Sequence, residues 1–188
     1  ATLEQNVSTT TYDEYNDAAF IVISRSGMEA ADLPKGMSTG FTGTGLNGNK
    51  VDGARYFDDH SLQPTQAEAD LIHYVEQYFD KIVILLNTGS AFEAGFLDDP
   101  GHYAYSPNIK AALWFGFPGK GEGLNALGKI ITGEINPSGH TVDTYARDFK
   151  NDPTWHNMPT YSNSLVKYTN SSKSLVNYKE GIYIGYRY

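Results

Sequence analysis

The chain has 188 residues, 40% hydrophobic and 19% charged, the balance of one soluble globular domain with enough apolar material for a core. A formal net charge of −8 argues against nucleic acid as a partner, because phosphate contacts need clustered Lys and Arg. With no Cys there is neither a disulfide framework nor thiol chemistry, and no apolar run approaches the roughly 20 residues of a membrane span.

The amino terminus has neither a basic flank nor an apolar stretch, so no signal peptide is visible and the compartment stays open between cytoplasmic and secreted. The 14 Tyr, 9 Phe and 2 Trp suit stacking against the faces of a neutral ligand such as a sugar, although most rings of this kind belong to cores.

In chain order, residues 18–24 form a continuous β-branched run that predicts a strand buried on both faces. Residues 34–60 are Gly-rich and polar and predict a loop. Thr65 and Glu68 stand at capping-box spacing. They open a helix whose inner face would carry Ala67, Leu71, Ile72, Val75, Tyr78 and Phe79. A second buried strand follows at 82–86, then a short helix at 91–97 and a third strand at 110–115.

A helix at 123–131 would turn Leu124, Leu127, Ile130 and Ile131 inward and stop at Gly133. An edge strand is expected at 141–145, an irregular stretch at 148–176 and a last strand at 182–186. This alternation predicts an α/β fold: one three-layer α/β/α sandwich over residues 1–188, with a mostly parallel sheet of about six strands.

Ligands of open parallel sheets bind beyond the carboxyl ends of the strands. Three loops leave such ends, at 25–32, 87–91 and 116–119. The first carries Arg25, Ser26, Glu29 and Asp32, and a Glu there has a rigid base yet reaches outward. A solvated loop carboxylate is the blander reading. Gly43-Thr44-Gly45-Leu46-Asn47-Gly48 matches G-x-G-x-x-G but lacks the preceding strand and the following helix that a dinucleotide site needs. The five His residues have no ligand spacing, and no G-x-S-x-G elbow exists, so neither a metal site nor a serine hydrolase is expected.

The ordered set Ile23-Ser24-Arg25-Ser26-Gly27-Met28-Glu29, Ile84-Leu85-Leu86-Asn87-Thr88-Gly89-Ser90, Gly133-Glu134-Ile135-Asn136-Pro137-Ser138-Gly139 and Glu180-Gly181-Ile182-Tyr183-Ile184-Gly185-Tyr186-Arg187-Tyr188 resembles the α/β sandwich domain of glycoside hydrolase family 3. A helix start at 62–71 and a P-G-x-x-G type turn within 113–123 complete the set.

The resemblance implies the acid/base-supplying domain of a retaining β-glucosidase acting on terminal β-D-glucosyl residues. Its nucleophilic Asp would stand on a separate (β/α)8 barrel domain of the same polypeptide. By position, Glu29 is the general acid/base. Arg25, Ser26 and Asp32 are expected to contact substrate, and no cofactor, metal, nucleic acid or membrane partner is implied. Ala30, Ala31 and Leu33 stand where many relatives have Gly, an aromatic and Arg, which leaves the leaving-group side of the pocket open. Glu180, a rival carboxylate, is expected to anchor the domain, and Glu93 to serve as a cap or structural contact. A non-catalytic sugar-binding or supporting domain of the same family is the alternative, and a flavodoxin-like nucleotide binder rests on fold analogy alone.

Overall fold

The computed structural model describes residues 8–26, 33, 36–37, 59–119, 121–157, 178 and 180–187. Three parallel strands, β1 (Ala19–Arg25), β2 (Ile82–Thr88) and β3 (Ile109–Trp114), make one sheet with β2 in the middle. The β1–β2 pairing runs from Ala19 opposite Ile82 to Arg25 opposite Thr88. A register shift between Ile82 and Val83 offsets β3, so that Leu86 faces Trp114. All three strands end on the same side, and the loops expected to carry a site leave from there.

Helix α1 (Gln66–Val75) begins with the predicted capping box. Thr65 Oγ1 accepts from the Glu68 backbone N–H at 3.1 Å, and Glu68 Oε2 accepts from the Thr65 N–H at 2.8 Å. The helix buries Ala69, Ile72 and Val75, and Phe79 continues the stripe, against Ile21, Ile23, Ile84 and Leu86. Phe92, Phe96 and Ala104 extend this core beyond the strand ends. The buried stripe is narrower than the periodicity predicts. Ala67 is exposed, and the half-exposed Tyr78 ring packs edge-on against Tyr12 at the surface.

Several expectations need correction. The described residues hold three strands, not about six. Residues 141–145 make no ladder. The chain just after them is held instead on a loop, where the backbone N–H groups of Ala94 and Gly95 donate to Ala146 O and Arg147 O. The expected strand at 182–186 is two tight turns, because Gly181 and Gly185 both have φ of 58°, a left-handed conformation that interrupts an extended run. The expected helix at 91–97 shrinks to a 3₁₀ turn at Gly95–Leu97. The stretch read as irregular from residue 148 begins with a 3₁₀ turn at Phe149–Asn151 and a short helix, α3 (Pro153–Asn157), both within the described residues.

Among those residues, helix is packed on one face of the sheet. On the other, Phe20 and Val22 are 46% and 54% exposed, so β1 is buried on one face and not two. Helix α2 (Glu122–Ile131) has no buried residue; Leu127 and Ile130 line an apolar groove of about 540 Å³ with Leu113 and Trp114. No helix among the described residues is long and apolar enough to cross a membrane.

Candidate functional site

The carboxyl end of β1 is fixed by Arg25, which is 4% exposed. Its five N–H groups all have acceptors within the protein. Nε donates to Ser61 O at 2.8 Å, and Nη1 donates to Ser24 O and Glu68 Oε1 at 2.8 and 2.7 Å. Nη2 donates to Gln63 O and Glu68 Oε2 at 2.9 and 2.8 Å. The fork-on-fork contact with Glu68 is the geometry a planar guanidinium is built for, and the Phe92 ring lies 5.0 Å from its carbon. Glu68 therefore closes the α1 capping box and holds the end of β1 at once.

Arg25, expected to contact substrate, has every guanidinium donor engaged within the protein. Ser26 follows directly and is exposed. Glu29 and Asp32 lie outside the described residues.

The same turn that receives Arg25 also receives the chain on its return. Met37 N donates to Asp59 O at 2.8 Å, Gly36 pairs antiparallel with His60, and Ser61 Oγ donates to Gly36 O at 3.4 Å. Within residues 59–63, Gln63 braces the turn, donating to Asp59 Oδ1 at 3.0 Å and accepting from the His60 N–H at 3.1 Å.

Glu93 grips the turn twice. Its backbone N–H donates to Leu62 O at 2.7 Å, and its Oε2 lies 3.0 Å from His60 Nε2. The Leu62 N–H donates to His60 Nδ1 at 3.3 Å, so that nitrogen is unprotonated and Nε2 carries the hydrogen given to Glu93. His102 is arranged alike. Its Nδ1 accepts from the Ala104 N–H at 3.2 Å, and its Nε2 faces Glu93 Oε1 at 3.5 Å, beyond good hydrogen-bond distance. Phe149 N also donates to Glu93 Oε2, at 3.2 Å.

Burial pushes the Glu93 carboxyl up, but the neighbouring His102 and His60 imidazoles, the latter also through its charge, and the Phe149 N–H outweigh it and hold it at about 2, below its usual 4.5. The carboxylate is thus ionised and enclosed. Beside it opens a cavity of about 600 Å³ lined by Asp59, His60, Glu93, His102, Arg147 and Lys150 among others. A metal-binding imidazole donates its second N–H to an oxygen; here that second nitrogen accepts from the backbone in both rings, which leaves neither a lone pair for a cation. Among the described residues, no group of His, Asp and Glu is arranged to hold a metal ion.

At the carboxyl end of β2, Asn87 Oδ1 and Ser90 Oγ are buried and have no hydrogen-bond partner among the described residues. Unsatisfied polar atoms of this kind cost about 1–3 kcal/mol each. Two rings flank them: Trp114 Nε1 donates to Thr88 O at 2.8 Å, and the Phe117 ring lies where a side chain on Gly89 would stand. Both rings are partly exposed, Trp114 at 41% and Phe117 at 56%.

Glu93, expected as a cap or structural contact, makes structural contacts, but from irregular backbone, and its partners are His60 and His102, whose separation in the sequence gives no sign of the pairing. The available signal was a Glu between Phe92 and Phe96 in an otherwise apolar loop. Glu180 sits in a turn and not at the head of a strand.

The family model of the glycosyl hydrolase family 3 C-terminal domain matches residues 5–186. The chain is 30% identical to a β-glucosidase of Ruminococcus albus over 66% of its own length and 11% of that protein's. It is 26% identical to β-glucosidase A of Butyrivibrio fibrisolvens over 93% of its length and 19% of that protein's. The fold is similar to the crystal structure of a β-glucosidase from Paenibacillus barengoltzii, with a TM-score of 0.59 and 21% identity over 93% of this chain and 15% of that one. The chain therefore spans less than a fifth of these relatives, and it belongs to glycosyl hydrolase family 3, as a C-terminal domain of that family.

Proposed function

We propose that this chain is the acid/base-supplying domain of a retaining β-glucosidase, with Glu29 as the residue that protonates the leaving oxygen. Retaining hydrolysis needs two carboxyls roughly 5 Å apart, one attacking and one transferring the proton. The attacking Asp belongs to a (β/α)8 barrel domain elsewhere in the same polypeptide, a reading supported by the family model's being that of a C-terminal domain. Glucose as the sugar rests on the relatives' names. Ser26 and Asp32 contact sugar hydroxyls from the same segment as Glu29, and Arg25 serves by anchoring it.

The observation that carries this reading is the fixed exit of β1: Glu29 follows four residues after a buried, fully bonded Arg25. A proton donor must be delivered to within hydrogen-bond reach of one oxygen, and a pinned strand end is a base from which that is achievable. The unsatisfied Asn87 and Ser90 at the neighbouring strand end support a ligand or domain partner on this side.

In the full-length protein, Glu29→Ala should slow cellobiose hydrolysis about 100-fold or more while leaving activated aryl glucosides far less affected, with azide restoring turnover of the glycosyl-enzyme. Near-normal cellobiose hydrolysis would reject the acid/base role in favour of a supporting domain. The 188-residue chain by itself should show no turnover of an aryl β-glucoside, since the attacking carboxylate is elsewhere. Measurable release of the phenol by a pure sample would refute that division of labour.

A further inference from the structure

We infer that Glu93 and His60 are positioning residues for the segment that carries Glu29, an inference that rests on the acid/base reading above. The segment leaves β1 at Arg25 and returns at Gly36 and Met37, and both ends are fastened to one five-residue turn, 59–63. Arg25 donates to Ser61 O and Gln63 O on the way out. Asp59 O, His60 and Ser61 Oγ take the chain on its return. A shift of this turn moves both ends together.

What fixes the turn is Glu93, through its backbone to Leu62 O and its carboxylate to His60 Nε2. His60 is 1% exposed, with the Trp155 ring 4.7 Å and the Phe149 ring 6.1 Å away, and both its ring nitrogens are engaged. The clasp therefore has one setting. Its charged centre also lies outside the sheet core, where a ladder of strand bonds does not hold it.

Misplacing a catalytic group by about 1 Å can cost on the order of 100-fold in rate. That cost falls on steps that need the group. In the full-length protein, His60→Ala and Glu93→Ala should lower kcat/KM for cellobiose, whose leaving group requires protonation, roughly 10- to 100-fold more than for 2,4-dinitrophenyl β-D-glucoside, whose leaving group does not. The alkaline limb of the cellobiose pH profile should move as well. His60→Gln places an amide N–H near the position of Nε2 and should recover most of the loss.

A variant that merely unfolds more readily loses both substrates in equal proportion, so equal losses, or none on either substrate, overturn the inference. Glu29→Ala run alongside separates the two readings. If it discriminates between the substrates and the clasp variants do not, the clasp alone is refuted; if it does not discriminate, the acid/base role and the clasp are refuted together.

Discussion

Arg25→Ala should destabilise the fold by about 3–5 kcal/mol, the range for removing one partner of a buried ion pair, and a urea titration would measure it. The loss has three physical parts. Glu68, with 20% of its side chain exposed, keeps its charge and the Thr65 N–H but loses both guanidinium bonds. Ser61 O and Gln63 O lose their donor in a buried setting. The Phe92 ring loses the flat cation stacked on it. Arg25→Lys retains the charge, yet a compact ammonium cannot reach acceptors on a strand, a turn and a helix end together. Glu68→Gln removes one charge and keeps acceptor capacity. The expected order of destabilisation is therefore Arg25→Ala, then Arg25→Lys, then Glu68→Gln. A loss below about 1 kcal/mol for Arg25→Ala would place this residue among ordinary surface contacts.

The three strands were legible because each is a run of β-branched and apolar residues bounded by turn formers, and α1 because its capping box is a local pattern. The sequence letters do not say whether both faces of such a run are covered. Residues 18–24 read as doubly buried, while Phe20 and Val22 face outward and Ile21 and Ile23 inward. The run at 182–186 has strand composition, but two glycines four residues apart take left-handed turns and break it.

The candidate site divides the same way. The family motif at 23–29 points to Glu29, which lies outside the described residues. The clasp was invisible, because His60 and Glu93 are separated by 33 residues and become neighbours only when two loops cross the end of the sheet. Arg25 shows the reverse. Its place in the motif suggested substrate contact, and only the geometry of its five bonds shows that it belongs to the scaffold.

Acidification should remove roughly 3–4 kcal/mol of stability through Glu93 alone. Its carboxyl sits at about 2 in the fold and at 4.5 when unperturbed, a difference of about 2.5 units, each worth roughly 1.4 kcal/mol. Because the folded value is the lower one, the contribution is fully present above pH 4.5 and declines as pH falls from there toward 2. Glu93→Gln provides the control. A neutral amide keeps one acceptor for the His60 and Phe149 N–H groups that meet at Oε2 but turns an NH₂ toward His102 Nε2, so the variant is less stable at neutral pH. It has no proton to take up, so the gap between wild type and Glu93→Gln should narrow steadily between pH 4.5 and 2. The difference in unfolding free energy at pH 6 and at pH 3 measures this, and a gap that stays constant would mean that the fold does not favour the ionised carboxylate. The same titration bears on the clasp. Protonating Glu93 withdraws the charge that orients His60, so the turn that fastens residues 25 and 36 should loosen before the sheet does. Amide exchange at Met37, whose N–H is bonded to Asp59 O, should accordingly rise at a higher pH than exchange in β2.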